Sequence, residues 1–241
     1  MYADYQDKPE KPVIERGAWI ATSVGGMWSI LDPHPADVNI IDIASGLSRV
    51  CRYGGQIKHD FEIYPVSEHS VLMLEWMESQ GLVNSVEDGL RILLHDGSEA
   101  FFGDMTSPLK AIMPEFKVVE NRCQRVIDLA FGVYSAKLSY EIIKMTDVRI
   151  RMDEREALIN EPALGEQKRA TWEHTPDMEG LGVTIRGLTP SIAREEFLET
   201  FLRICNTYQF RNPDNAELLA HHIDVAADFL GHTARCDCAP A

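Results

Sequence analysis

Apolar residues recur at helical rather than strand spacing along most of this chain, and glycines and prolines cut that pattern into segments. Residues 1 to 16 are charged and contain proline, which predicts a loose arm. The stretch GAWIATSVGGMWSILDPHPADVN is rich in Gly, Pro and Trp and has no sustained period, so it predicts an irregular segment or short hairpin laid on the domain. Helices are then expected from Ile40 to Cys51, stopped by Gly54-Gly55, and through EHSVLMLEWMES with Ser67 as its cap. SVEDGLRILLHDGSEAFF is expected as a single helix, FKVVENRCQRVIDLAFG as one that stops at Gly132, and YEIIKMTDVRIRMDEREALI as another. Residues 160 to 188 read as a loop-rich insertion. Thr189-Pro190 opens a helix with Ile192, Phe197, Phe201 and Leu202 on its apolar face, and Asn212-Pro213 opens a last one ending at Gly231. The expected fold class is therefore all-α, a helical bundle.

Four polar side chains fall where this pattern calls for apolar ones. His69 shares a face with Leu72, Met73 and Trp76, His95 and Asp96 lie inside LLHDGSEAFF, and Asp147 lies between Ile143 and Ile150. Burying such groups unpaired costs several kcal/mol, and a metal ion removes that cost. On a helix His95 and Asp96 point about 100° apart, so one ion serves both only if it lies beside the helix and other helices complete its shell. His69 and Asp147 are the evident donors. Two imidazoles and two carboxylates leave open positions on a five- or six-coordinate divalent ion, as a catalytic site requires. Singly these residues carry little weight, because a lone histidine on an apolar helix face is more often a hydrogen-bonded core residue.

Composition narrows the function. A chain of 241 residues with 45% hydrophobic content suits one catalytic domain plus extensions. The formal charge of −15 argues against nucleic acid and anionic membranes as partners. A small polyanion remains an acceptable ligand where a metal and a few placed Arg or Lys residues supply local positive charge. No apolar run approaches the roughly 20 residues of a membrane span and the opening residues lack a signal-type apolar region, so a cytoplasmic protein is expected. The five cysteines are odd in number and scattered, which predicts free thiols. The pair Cys236 and Cys238 near His232 reads as part of a mobile tail rather than a metal clip.

The words around the four polar residues, YPVSEHS, LLHDGSEAFFGDMTSPLK and KMTD, resemble the HD-domain phosphohydrolase superfamily. They are most similar to its branch of bacterial HD-type 5′-deoxynucleotidases and their phage and prophage relatives, which include dATP triphosphohydrolases. The resemblance runs from the region of IDIASGLSRVCRYGGQ to LTPSIAREEFLETFLRICNTY, making residues 17 to 208 the HD domain and 209 to 241 a C-terminal helix and tail. It implies a helical bundle around one divalent ion (Mn, Co, Zn or Mg) held by His69, His95, Asp96 and Asp147, with Asp96 and Glu99 as the catalytic pair. Without that context Glu99 would read as a solvated helix carboxylate. The resemblance further places Asp104 against a sugar 3′-hydroxyl, Arg52 against phosphate, and Tyr53 against sugar or base. Arg49 is a rival for Arg52, and Gln56 is a candidate for a base edge. Lys110 is a candidate phosphate contact, with an ordinary surface lysine as an equal alternative. Trp19 and Trp28 are candidates for pocket walls, although packing suits either better. His221 and His222 are adjacent on a helix beyond the resemblance and point to different faces, so they do not share a metal.

The function implied is hydrolysis of 2′-deoxynucleotides, with 5′-deoxynucleotidase activity preferred and release of triphosphate from a deoxynucleoside triphosphate as the alternative, favoured by the phage-like CRYGGQ word. A non-catalytic nucleotide-sensing module is a second alternative. The expected partners are a small nucleotide substrate and further copies of the chain, without nucleic acid or membrane.

Overall fold

Nine helices and one two-stranded hairpin make up the described part of the protein, residues 13–160 and 178–231 of a computed structural model. The helices are α1 (Ile40–Leu47), α2 (Val66–Ser79), α3 (Val86–Leu93), α4 (Glu99–Phe102), α5 (Ser107–Ile112), α6 (Pro114–Ala130), α7 (Tyr140–Leu158), α8 (Pro190–Thr207) and α9 (Asp214–Phe229). The all-α class expected from the helical spacing is the class the structure has. Three starts are fixed by side chains that accept an otherwise orphaned amide: Asn39 for α1, Ser85 for α3 and Ser139 for α7.

Helix α8 is the axis of the bundle, packing on α1, α2, α3 and α9. It buries Phe197, Leu198, Phe201 and Ile204, and burial of each such side chain contributes about 1.5–3 kcal/mol. Gly89 of α3 lets the Ile204 side chain approach to within 2.9 Å of where a Cβ would lie. Helix α9 adds Leu219 and Ala226 to the same core. On it His222 is buried and stacked on Phe131 with ring centroids 4.4 Å apart, while His221 is exposed. The Cys236, Cys238 and His232 tail, with residues 1–12 and 161–177, lies outside the described residues. Among the described residues no helix is long and apolar enough to cross a membrane.

The N-terminal stretch is the hairpin: β1 (Trp19–Ala21) pairs antiparallel with β2 (Met27–Ser29), with Ile20 opposite Trp28. It is fastened to α1 where the Asp42 carboxylate accepts from the Ser23 hydroxyl at 2.6 Å and the Val24 amide at 2.9 Å. Trp28 is buried and stacks on Phe101 at 4.1 Å, whereas Trp19 stays about half exposed, so packing rather than a pocket wall is the role of Trp28. The described end of the predicted arm, Val13–Arg16, is not loose: it forms a 3₁₀ turn whose Arg16 is buried and ion-paired with Asp37.

Three local expectations need correction. Helix α1 ends at Leu47 and does not reach Cys51, which bridges to Pro65 instead. Ser67 is not the cap of α2, which starts at Val66 after Pro65, and it is instead fully buried in the first turn. The predicted helix from Ser85 to Phe102 is broken, with α3 ending at Leu93 and α4 beginning at Glu99. Gln124 of α6 explains the break. Its side-chain amide donates to the Leu94 carbonyl at 2.7 Å and accepts from the Ser98 amide at 3.0 Å, standing in for the bond those two groups would make in a continuous helix. Gly97 fits the tight turn, where a Cβ would lie 3.0 Å from the Leu94 carbonyl.

Candidate metal centre

Three parts of the bundle meet at one point. Helix α2 supplies His69, the turn after α3 supplies His95 and Asp96, and α7 supplies Asp147. One ligand atom from each of His69, His95 and Asp147 falls within 4.8 Å of the others. His69 Nε2 is 3.4 Å from Asp147 Oδ1, and Asp96 Oδ2 is 3.2 Å from His95 Nε2 and 3.9 Å from His69 Nε2. His69, His95 and Asp147 therefore form a group that could hold a metal ion, and Asp96 lies beside both imidazoles without being part of that group, with His95 and Asp96 on a turn rather than on a helix.

The tautomers are set from behind. His69 Nδ1 lies 2.7 Å from Glu154 Oε1 and His95 Nδ1 lies 2.8 Å from the Ile92 carbonyl. An ionised carboxylate and a carbonyl can only accept, so each Nδ1 carries a hydrogen, and in the neutral imidazole each Nε2 turns its lone pair inward. Both Nε2 atoms are buried without a hydrogen-bond partner. Two inward lone pairs beside two carboxylates fit a cation. Burial alone would lower the pKa of His95, but Asp96 outweighs it and raises it to about 8. Asp96 and Asp147 lie below the ordinary carboxylate range, burial being outweighed by His95 beside the first and His69 beside the second. A divalent ion would therefore compete with a proton for this cluster.

Glu154 escaped the sequence reading. It is fully buried on α7 and, besides His69, it accepts from the Tyr53 hydroxyl at 2.6 Å and the Tyr64 hydroxyl at 3.0 Å, with Arg52 Nε at 3.3 Å. Burial would raise its pKa, but Arg52 and His69 hold it at about 2. Its one sequence signal is its place seven residues after Asp147, two turns along the same helix face.

Arg52 faces the cluster, at 3.6 Å from Asp96 and 3.7 Å from Asp147, whereas its rival Arg49 is exposed and donates to the Ser45 carbonyl. Tyr53 has φ 60°, a positive value that no other described residue except glycine adopts, and Gly54 and Gly55 continue the left-handed run. Its hydroxyl is committed to Glu154. Gln56 is exposed.

Glu99 opens α4 and is buried, its backbone held close to α1 because Gly46 presents no Cβ to collide with the Ala100 carbonyl. Burial first, then the charges of Asp96 and Asp104, push its pKa well above the ordinary value. Oε1 is 3.1 Å from Lys110 Nζ, while Oε2 is buried and has no partner. Lys110 also reaches Glu120 Oε1 at 2.8 Å, so its ammonium lies between two carboxylates. Asp104 is half-buried in the segment that follows Gly103.

No family model matches this chain. Over 117 residues, 48% of its length, the chain is 37% identical to an uncharacterized protein of Rhodobacter capsulatus, of which it spans 59%. Over 169 residues, 68% of its length, it is 29% identical to the uncharacterized protein YfdR of Escherichia coli K12, of which it spans 83%. The site therefore has to be read from its own chemistry. It combines a cluster able to hold a cation, an arginine on the same carboxylates, and one buried carboxyl group with a raised pKa.

Proposed function

We propose that this chain is an HD-type, divalent-metal-dependent phosphohydrolase that removes the 5′ phosphate from 2′-deoxynucleoside monophosphates. The observation that carries this reading is the pair of buried, unpartnered Nε2 atoms of His69 and His95 aimed at the Asp96 and Asp147 carboxylates. A divalent ion held there would lower the pKa of a water molecule and neutralise charge on a phosphate oxygen.

The chain's own residues would do the rest. The Arg52 guanidinium offers paired donors in the fork geometry that suits two phosphate oxygens. Burial raises the pKa of Glu99, which suits it to give a proton to the leaving 5′ oxygen as the P–O bond breaks and to recover one from the attacking water. Asp104 would accept from the sugar 3′-hydroxyl and pack too closely for a 2′-hydroxyl. Should the water instead face the α-phosphorus of a triphosphate, the same groups would release triphosphate. That is the second reading, and the CRYGGQ word favours it.

The test is to incubate deoxynucleoside mono- and triphosphates, with their ribo counterparts, with Mn²⁺, Co²⁺, Zn²⁺ or Mg²⁺ and separate phosphate from triphosphate. The expected result is phosphate from monophosphates, with ribonucleotides slower by about 10- to 100-fold. Triphosphate as the main product would select the second reading. No product with any metal would overturn both.

A further inference from the structure

The ion pair behind Glu99 assigns a role that the substrate-facing residues do not cover. Lys110 lies one turn into α5, with its backbone amide bonded to the Thr106 carbonyl, and its ammonium reaches Glu99 Oε1 at 3.1 Å and Glu120 Oε1 of α6 at 2.8 Å. We infer that Lys110, braced by Glu120, is a positioning residue for Glu99 and not a contact to phosphate.

Charge and burial both point this way. Glu99 lies in a crowd of negative charge, with Asp96 and Asp104 both acting on it. Turning Lys110 outward to a phosphate would take the nearest cation from a carboxyl group that is only 4% exposed, and buried carboxylates are costly to leave unpaired. Arg52, already on the Asp96 and Asp147 carboxylates, is the better placed cation for substrate. Lys110 also decides which oxygen of Glu99 can work. It occupies Oε1, and the buried, unpartnered Oε2 is left to exchange a proton. Glu120 limits the freedom of a long side chain that would otherwise sample many rotamers.

The kinetic part of this inference rests on the phosphohydrolase reading. It is tested by a double-mutant cycle on the full chain with Mn²⁺ and a deoxynucleoside monophosphate, using Lys110→Met, Glu99→Gln and both together. Lys110→Met is expected to lower kcat by about 10- to 100-fold with KM within about twofold, and to cost nothing further once Glu99 is Gln. Lys110→Arg should restore most of the rate, and Glu120→Gln should show a smaller loss of the same kind. A loss borne by KM, or one that adds in full to that of Glu99→Gln, would overturn the inference in favour of a phosphate contact. A crystal structure of Lys110→Met gives a readout that needs no turnover. The Glu99 carboxyl group is expected to leave its present position, and an unmoved group would overturn the inference even if no nucleotide proves to be a substrate.

Discussion

Helix α3 has a cluster of charge at each end, the first buried and the second partly exposed, and the two differ in what they leave unpaired. At its start Glu87 and Asp88 are almost wholly buried, yet their oxygens are occupied. Glu87 accepts from the backbone amides of Arg211 and Asn212 and from the Asn215 side chain, and Asp88 accepts from the amides of Lys137 and Leu138 and from Arg211. Just beyond its other end, His95 and Asp96 meet His69 and Asp147, and two imidazole nitrogens face carboxylate oxygens 3.2 and 3.4 Å away without a hydrogen bond. The first cluster ties the loops before α7 and α9 to the bundle. The second contains a group, His69, His95 and Asp147, that could hold a metal ion. Burial of charge is thus no mark of function by itself, whereas converging groups left unsatisfied are.

The sharpest way to break this comparison is to truncate one residue from each cluster. Asp147→Ala should abolish Mn²⁺ binding in calorimetric titration at a much smaller cost to the urea midpoint, since the partly exposed Asp147 carboxylate meets the side chains of His69, Arg52 and Arg151 rather than backbone amides. Asp88→Ala should do the reverse, costing about 3 kcal/mol of stability because two backbone amides and Arg211 lose their acceptor, with Mn²⁺ affinity retained. If Asp147→Ala unfolds the protein as readily as Asp88→Ala, the two clusters do not differ in kind.

A smaller effect is expected from the layer behind the cluster. Glu154→Gln keeps the shape but can no longer hold the His69 tautomer with a charge, so Mn²⁺ affinity should fall by about 10- to 100-fold. Unchanged affinity would reduce Glu154 to a packing residue.

The smallest effect comes from a third orphaned nitrogen, Nδ1 of His222, which lies on Phe131 with no carboxylate partner. Burial, helped by the neighbouring His221, lowers its pKa to about 4. The unfolded chain binds a proton at this residue below about pH 6.5 and the folded chain does not until about pH 4, so stability should fall as pH drops through that window. The loss amounts to about 3 kcal/mol at most. In His222→Phe this part of the pH dependence should vanish from urea unfolding curves. An unaltered slope would show that His222 is not held neutral.

The contrast also explains how far the sequence could be read. The bundle was legible because apolar spacing is a local signal, and the four candidate ligands were legible because each breaks that spacing at a costly position. Glu154 was not, since a glutamate within DEREAL reads as one more solvated helix charge until Tyr53, Tyr64 and His69 are seen to surround it. The break between α3 and α4 was hidden for a similar reason, because its cause, Gln124, comes from a different helix. The surroundings of Lys110 likewise depend on Glu120, which only the packing of α5 on α6 brings near. What depends on one segment was visible in the sequence, and what depends on two meeting was not.

The phosphohydrolase reading requires one divalent cation where the two inward Nε2 atoms meet the carboxylates of Asp96 and Asp147. Anomalous diffraction from crystals of the protein grown with Mn²⁺ measures it directly. One strong peak is expected about 2.0 to 2.3 Å from His69 Nε2, His95 Nε2 and an oxygen of each aspartate. No peak there at saturating Mn²⁺, or a peak on other residues only, would contradict it.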